Sequence, residues 1–159
     1  MARSVRVRDA ETAGDIEAAR SLFLTYADSL DVDLCFQGFD DEMTRFPGEY
    51  QPPRGALLLA EVDGDIAGVV ALRPAHGDCA EMKRLYLTEA ARGLGLGARM
   101  ADAVVEKARA LGYRGMLLDT LPSMAAAQGI YRRMGFEVYR PDADGGHPDL
   151  IYMRMMFDA

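Results

Sequence analysis

The sequence predicts a single mixed α/β domain, of α+β type, spanning residues 1–159. Three observations carry this reading. The chain is long enough for one sizeable core, and half of its residues are apolar. Short β-type runs are interleaved with strongly amphipathic helical stretches. No internal repeat, low-complexity tract or linker divides the chain.

The elements follow in order. Ser4 to Arg8 alternates polar and apolar residues as a short strand. Thr12 and Asp15 have the spacing of a capping box, and Ile16, Ala19, Phe23, Tyr26, Ala27 and Leu30 recur at helical spacing, so a helix is expected from Ala13 to Leu30. The stretch from Asp31 to Gly55 is irregular and rich in aromatics and prolines, with a short helical turn over Asp40 to Arg45. It reads either as a binding loop or as a loop whose aromatics patch the core.

Ala56 to Val62 and Ile66 to Arg73 are apolar runs joined through Asp63-Gly64, the strongest local signal for a β-hairpin. Cys79 to Leu87 is a further strand. Strict alternation would put Glu81, Lys83, Leu85 and Leu87 on one face and Met82, Arg84 and Tyr86 on the other. Met100, Ala101, Val104, Val105, Ala108 and Leu111 form the apolar stripe of a second helix, stopped at Gly112. Gly115 to Thr120 reads as a buried strand. A third helix opens at Pro122-Ser123, with Ser123 as its cap, and stops at Gly135. Phe136 to Tyr139 and Leu150 to Phe157 are the last strands.

Charge and cysteine content narrow the function. The net charge of −7, from 18 basic and 25 acidic residues, argues against non-specific nucleic-acid binding, which needs Lys and Arg to neutralise phosphates. Cys35 and Cys79 lack metal-ligand spacing, and reduced thiols are expected. No His/Cys/Asp/Glu cluster has the spacing of a metal site, so no metal is expected. No apolar stretch reaches membrane-spanning length and the N-terminus has no apolar signal core, so a cytoplasmic protein without membrane attachment is expected.

The most informative segment is Arg92-Gly93-Leu94-Gly95-Leu96-Gly97, between a strand and an amphipathic helix. Glycine lets backbone N–H groups turn toward an anion, and the helix N-terminus adds positive potential. The loop is suited to a pyrophosphate. A Rossmann fingerprint requires G-x-G-x-x-G at the first turn of a βαβ unit, whereas this loop has G-x-G-x-G, past mid-chain and behind a hairpin. A P-loop is excluded because no Lys-Ser or Lys-Thr follows the glycines.

Three motifs in order, Glu81-Met-Lys-Arg-Leu-Tyr-Leu87, Arg92-x-x-Gly-x-Gly97 and Ile130-Tyr-Arg-Arg-Met-Gly-Phe136, resemble the Gcn5-related N-acetyltransferase (GNAT) superfamily over nearly the whole chain. The resemblance implies a central, mostly antiparallel sheet, splayed at the strand before the glycine loop and flanked by helices. It implies acetyl-CoA as co-substrate, with the pyrophosphate on the amides of Arg92, Gly93, Leu94, Gly95, Leu96 and Gly97 and the pantetheine arm against Leu85, Tyr86 and Leu87. Many members carry an Asn seven residues before the helix tyrosine. Met124 stands there in this chain, with Ser123 as the substitute polar contact.

Glu81, eleven positions before Arg92, matches the catalytic glutamate of the histone-acetylating branch, and Tyr131 resembles the superfamily's general acid. Each has a purely structural reading too: Glu81 as partner of Lys83, Arg84 or another cation, Tyr131 as a core tyrosine. The expected reaction is acetyl transfer to a primary amine of a small molecule or peptide by direct attack in a ternary complex. A non-catalytic acyl-CoA-binding regulatory module is the alternative. Asp142, Asp144 and Asp149 could draw in an ammonium group, or Lys83 and Arg84 could bind an acceptor carboxylate. His147 is a further loop residue that could reach the acceptor. Relatives are often homodimers.

Overall fold

The computed structural model describes residues 4–29, 39–141 and 148–157. Leu30, Cys35, Asp142, Asp144 and His147 lie outside them. The chain runs β1 (Val5–Asp9), α1 (Ala13–Asp28), α2 (Phe39–Arg45), β2 (Ala56–Val62), β3 (Asp65–Pro74) and β4 (Cys79–Leu87). A turn of 3-10 helix follows over Glu89–Ala91, then α3 (Leu96–Ala110), β5 (Gly115–Thr120), α4 (Ala125–Met134), β6 (Glu137–Val138) and β7 (Ile151–Met156). The strands form one sheet in the order β1-β2-β3-β4-β5-β7-β6. Every pair is antiparallel except β4 with β5.

Local chemistry sets most boundaries. Thr12 Oγ1 accepts from the Asp15 amide at 3.0 Å, and Asp15 accepts in return from the Thr12 amide at 3.2 Å. This capping box is worth about 1 kcal/mol. Arg8 adds a two-pronged pair to the same Asp15 carboxylate, at 2.8 and 3.0 Å, and thereby ties α1 to β1. The β2–β3 hairpin turns through Asp63 and Gly64, both with positive φ, as a two-residue turn matched to strand twist requires.

Apolar side chains on the two faces of the sheet make two cores. On one face Leu58, Val70, Leu72, Ala80, Met82, Met116 and Leu118 pack with Met100, Val104 and Ala108 of α3. On the other, Leu57, Leu59, Val69 and Ala71 pack with Ala19 and Phe23 of α1 and Met43 of α2. The aromatics of the irregular stretch complete this second core: Phe46 and Tyr50 stack edge-on against Phe23 at 5.2 and 5.8 Å.

One expectation about β4 is overturned. Val69 pairs with Tyr86 and Ala71 with Lys83, so β4 carries one residue more than β3 between these rungs. The extra residue is accommodated at Arg84, whose φ is 60°. Such a bulge flips the face of everything beyond it. Leu85 and Leu87 therefore join Ala80 and Met82 on the α3 face, while Tyr86 joins the α1 face. Glu81 does not share a face with Leu85 and Leu87.

Candidate active site

The parallel ladder between β4 and β5 has three rungs, Cys79 with Gly115, Ala80 with Met116 and Glu81 with Leu117. Both strands continue past it, β4 to Leu87 and β5 to Thr120. Lys83, Arg84, Met82, Tyr26, Asp119 and Thr120 line a pocket where the ladder stops. From Met82 onward β4 is hydrogen-bonded to β3 on one side, with no rung to β5 on the other.

At the end of β4 the chain passes through the 3-10 turn into the glycine segment. Gly93 and Gly95 have φ of 79° and 72°, a region that side-chain-bearing residues rarely occupy. Gly95 is the N-cap of α3, and no side chain caps it. The first helical bond runs from the Arg99 amide to Gly95 O at 3.2 Å, so the amides of Leu96, Gly97 and Ala98 precede it. A Cβ placed on Gly93 or Gly95 would meet nothing within 4 Å, which leaves the approach to these amides open. Arg92 and Arg99 are exposed, whereas Leu96 is buried and anchors the turn. Gly97 serves packing: a Cβ there would come within 3.2 Å of Ile130 Cδ1 on α4. The donor set fits an anionic phosphate group.

Glu81 is held at both carboxylate oxygens. Arg73 Nε donates to Oε1 at 2.9 Å, and Lys83 Nζ lies 4.0 Å from Oε2. Lys83, with a side chain only 6% exposed, also lies 3.7 Å from Asp119 Oδ2 on β5. Arg84 is spent elsewhere: its Nε and Nη2 each lie 3.2 Å from a Glu42 carboxylate oxygen on α2, and its guanidinium covers the Phe39 ring. Lys83 and Arg84 are thus buried and ion-paired rather than presented to an acceptor.

Tyr131 is 6% exposed, with its ring edge-on to Phe136 at 5.8 Å. Burial raises its pKa well above that of an ordinary phenol, and Tyr26 and the Asp119 carboxylate push in the same direction. The phenol is therefore protonated across the neutral range. Tyr26 is raised by burial as well.

The start of α4 differs from expectation. Its N-cap is Met124, with φ −91° and ψ 59° and no side-chain cap bond, while Ser123 is exposed in the preceding turn. Gln128 instead ties down the preceding turn, donating from Nε2 to Leu121 O at 3.0 Å and Pro122 O at 3.3 Å. The Met124 sulfur turns inward, accepting from Thr120 Oγ1 at 3.6 Å with the Tyr26 hydroxyl at 4.0 Å.

On the α1 face, Glu81 opens into a cavity walled by Glu49, Arg73, His76, Tyr139 and Tyr152. Arg73 and Glu49 also line an adjoining cavity with Glu42, Arg45 and Tyr50. Arg73, Asp119 and Tyr50 went unassigned from sequence. Arg73 was findable, because the hairpin pairing sets it directly across from Glu81. Asp119 was signalled by a carboxylate in an otherwise apolar strand. Among the described residues no group of three or more His, Cys, Asp or Glu could hold a metal ion, and no helix is long and apolar enough to cross a membrane.

Comparison with known proteins agrees with this geometry. Residues 20–136 match the model of the acetyltransferase (GNAT) family. An uncharacterized N-acetyltransferase of Schizosaccharomyces pombe is 36% identical over 143 residues, covering 89% of this chain and 88% of the relative. The fold is shared with an acetyltransferase from Streptococcus agalactiae (TM-score 0.76, 20% identity, 96% of this chain and 98% of the other). It is also shared with the yncA protein of Salmonella typhimurium, solved with its cofactor acetyl-CoA (TM-score 0.69, 20% identity, 97% and 94%). With the family match running from within α1 to the end of α4, and the uncapped glycine turn inside it, the chain belongs to the GNAT acetyltransferase family and is an acetyl-CoA-dependent acyltransferase.

Proposed function

We propose that the protein transfers the acetyl group of acetyl-CoA to a primary amine of a small molecule or peptide, by direct attack within a ternary complex. The observation that carries this reading is the line of polar groups across the gap between β4 and β5. Glu81 touches Lys83, Lys83 touches Asp119, and the Asp119 charge acts on Tyr131. A carboxylate able to accept a proton is thus linked through Lys83 and Asp119 to a phenol able to donate one, which supports this reading.

The chemistry needs three contributions from this chain. Amides of the Arg92–Gly97 turn hold the pyrophosphate, and the free edge of β4 near Leu85, Tyr86 and Leu87 pairs with the pantetheine arm as an added strand. A backbone N–H at Leu85 or Tyr86 polarises the thioester carbonyl. Glu81, directly or through one water, takes the proton from the acceptor ammonium, and the free amine attacks the carbonyl carbon. As the carbon–sulfur bond breaks, Tyr131 gives its proton to the departing thiolate.

The test is coenzyme A release, followed with a thiol reagent, over a panel of amines for the wild type, Glu81→Gln and Tyr131→Phe. Release with at least one amine, reduced in both variants while acetyl-CoA affinity by calorimetry is retained, is the expected result. Tight acetyl-CoA binding without release for any amine would overturn the proposal.

A further inference from the structure

The cavity adjoining that of Glu81 is lined by hydrogen-bond donors that meet no acceptor among the described residues. The Tyr50 side chain is 4% exposed, and its hydroxyl has no hydrogen-bond partner among the described residues, although the nearby Glu42 carboxylate helps raise its pKa. Its ring is fixed between Phe23 and Phe46, so the hydroxyl cannot swing out to water without disrupting the α1-side core. An unpaired buried hydroxyl is a standing cost that proteins rarely keep without use. Tyr50 lines the cavity together with Arg73, Glu42 and Arg45.

Arg73 supplies the second set of unused donors. Among the described residues it spends only Nε, on Glu81, although its side chain is just 30% exposed. The other four guanidinium N–H groups have no acceptor among the described residues. Glu42 also lines this cavity, and each of its oxygens already takes a hydrogen bond from Arg84. Asp41 and Glu49, which also line it, are exposed to solvent. Among the described residues, neither the Tyr50 hydroxyl nor the Arg73 Nη groups are bonded to any of these carboxylates.

A carboxylate satisfies a planar guanidinium and a hydroxyl together. We infer that Arg73 and Tyr50 form a carboxylate subsite for the acceptor, so that the substrate class is an α-amino acid or a close analogue of one. The link to the reaction is the guanidinium itself. Its Nε holds Glu81, and Arg73 lines both cavities, so an amine one carbon away from a carboxylate bound to its Nη groups would lie close to Glu81. This inference rests on the amine-acetylation reading above for the role of Glu81, but not for the subsite.

The test compares each common L-amino acid with its carboxamide and its decarboxylated amine. Two readouts are used, coenzyme A release and equilibrium binding by calorimetry, in the wild type and in Tyr50→Phe. Tyr50→Phe removes only the orphan hydroxyl, so its melting temperature should equal or exceed that of the wild type, which separates lost binding from lost folding. At least one amino acid is expected to exceed its amide and its amine by tenfold or more in kcat/KM. Tyr50→Phe should raise KM for that acid about threefold to tenfold, with kcat little changed and the decarboxylated amine unaffected.

Equal or better turnover of the decarboxylated amines or of diamines across the panel overturns the subsite while leaving amine acetylation standing. Amino-acid binding that Tyr50→Phe weakens, without coenzyme A release for any amine, supports the subsite and removes the acetylation reading instead. Absence of both binding and turnover for every amino acid overturns the inference.

Discussion

Lys83 Nζ lies 3.7 Å from Asp119 Oδ2, joining β4 to β5 two residues beyond the last rung of their ladder. Glu81 and Leu117 form that last rung, and Lys83 and Asp119 are the next same-face residues on the two strands. An ion pair thus stands where backbone pairing stops. It ties the two strands together while leaving the β4 backbone edge free for a ligand to pair with. Because Lys83 is buried, removing Asp119 leaves its charge with only the longer 4.0 Å contact to Glu81. Asp119→Ala should cost about 3 kcal/mol in urea unfolding, whereas the double variant Lys83→Met, Asp119→Leu should recover most of the loss. Additive losses in the double variant would show that the pair is not coupled.

Glu81 lies across the β3–β4 ladder from Arg73, and their ion pair is 2.9 Å long. A carboxylate held this way has a fixed orientation toward the cavity. Glu81→Gln keeps the shape and removes the base. Turnover should fall roughly 10²–10⁴-fold, the range for loss of a positioned general base, with acetyl-CoA binding within about twofold of wild type. Retained turnover would reassign Glu81 to a structural role.

The order of elements and most of their bounds were legible because they follow from local chemistry: the Thr12–Asp15 box, the Asp63-Gly64 turn, the stripe of α3 and the stop at Gly112. The faces of β4 were not legible. Nothing in Cys79–Leu87 announces a bulge, since Arg84 takes positive φ without being Gly, Asn or Asp, and the irregularity arises from pairing with β3. The same limit hid the site's electrostatics. Glu81, Lys83 and Arg84 are adjacent in sequence, yet their partners Arg73, Asp119 and Glu42 come from three other elements. Ser123 failed as a cap for a comparable reason: a polar residue before a helix is a sound local signal, but Gln128 from within the helix ties down the same turn.

The glycine turn gives a test of cofactor binding that spares the rest of the site. A Cβ on Gly95 meets no neighbour within 4 Å, so Gly95→Ala costs only the strain of holding a φ of 72°, about 1–2 kcal/mol. The added methyl group nevertheless stands beside the uncapped amides, where a diphosphate bound as proposed would have to approach closely. Acetyl-CoA affinity should drop at least about tenfold by calorimetry, with the fold retained by circular dichroism. Unaltered affinity would place the pyrophosphate elsewhere.

Asp15 is a source of acid sensitivity. Hydrogen bonds from Arg8 first, and then from the Glu11 amide, hold its pKa well below the usual carboxylate value. The sign follows from linkage: a group depressed in the folded state stabilises fully above its unfolded pKa of about 3.9, and the contribution fades as pH falls below that. Wild type should lose stability steeply on acidification below about pH 4. Asp15→Asn should be less stable at neutral pH and show a shallower acid slope in thermal melts taken between about pH 5 and 2. Parallel slopes in the two proteins would remove Asp15 from the account.

Tyr131 ties pH to catalysis. Its pKa is raised chiefly by burial, with Tyr26 and Asp119 adding to the shift, so the phenol keeps the proton that its proposed role requires well past neutrality. Ordinary phenols titrate near 10, and a raised one titrates above that. Wild-type kcat should therefore show no descending limb from Tyr131 below about pH 10. Tyr131→Phe should lower kcat by roughly 10²-fold or more, because the thiolate must then leave without its proton, while acetyl-CoA binding is nearly unchanged. The ring contact with Phe136 survives the substitution, so the fold should too. A basic limb near pH 8 in the wild type that vanishes in Tyr131→Phe would show that the phenol ionises far more easily than its buried position dictates, and would end its assignment as the proton donor.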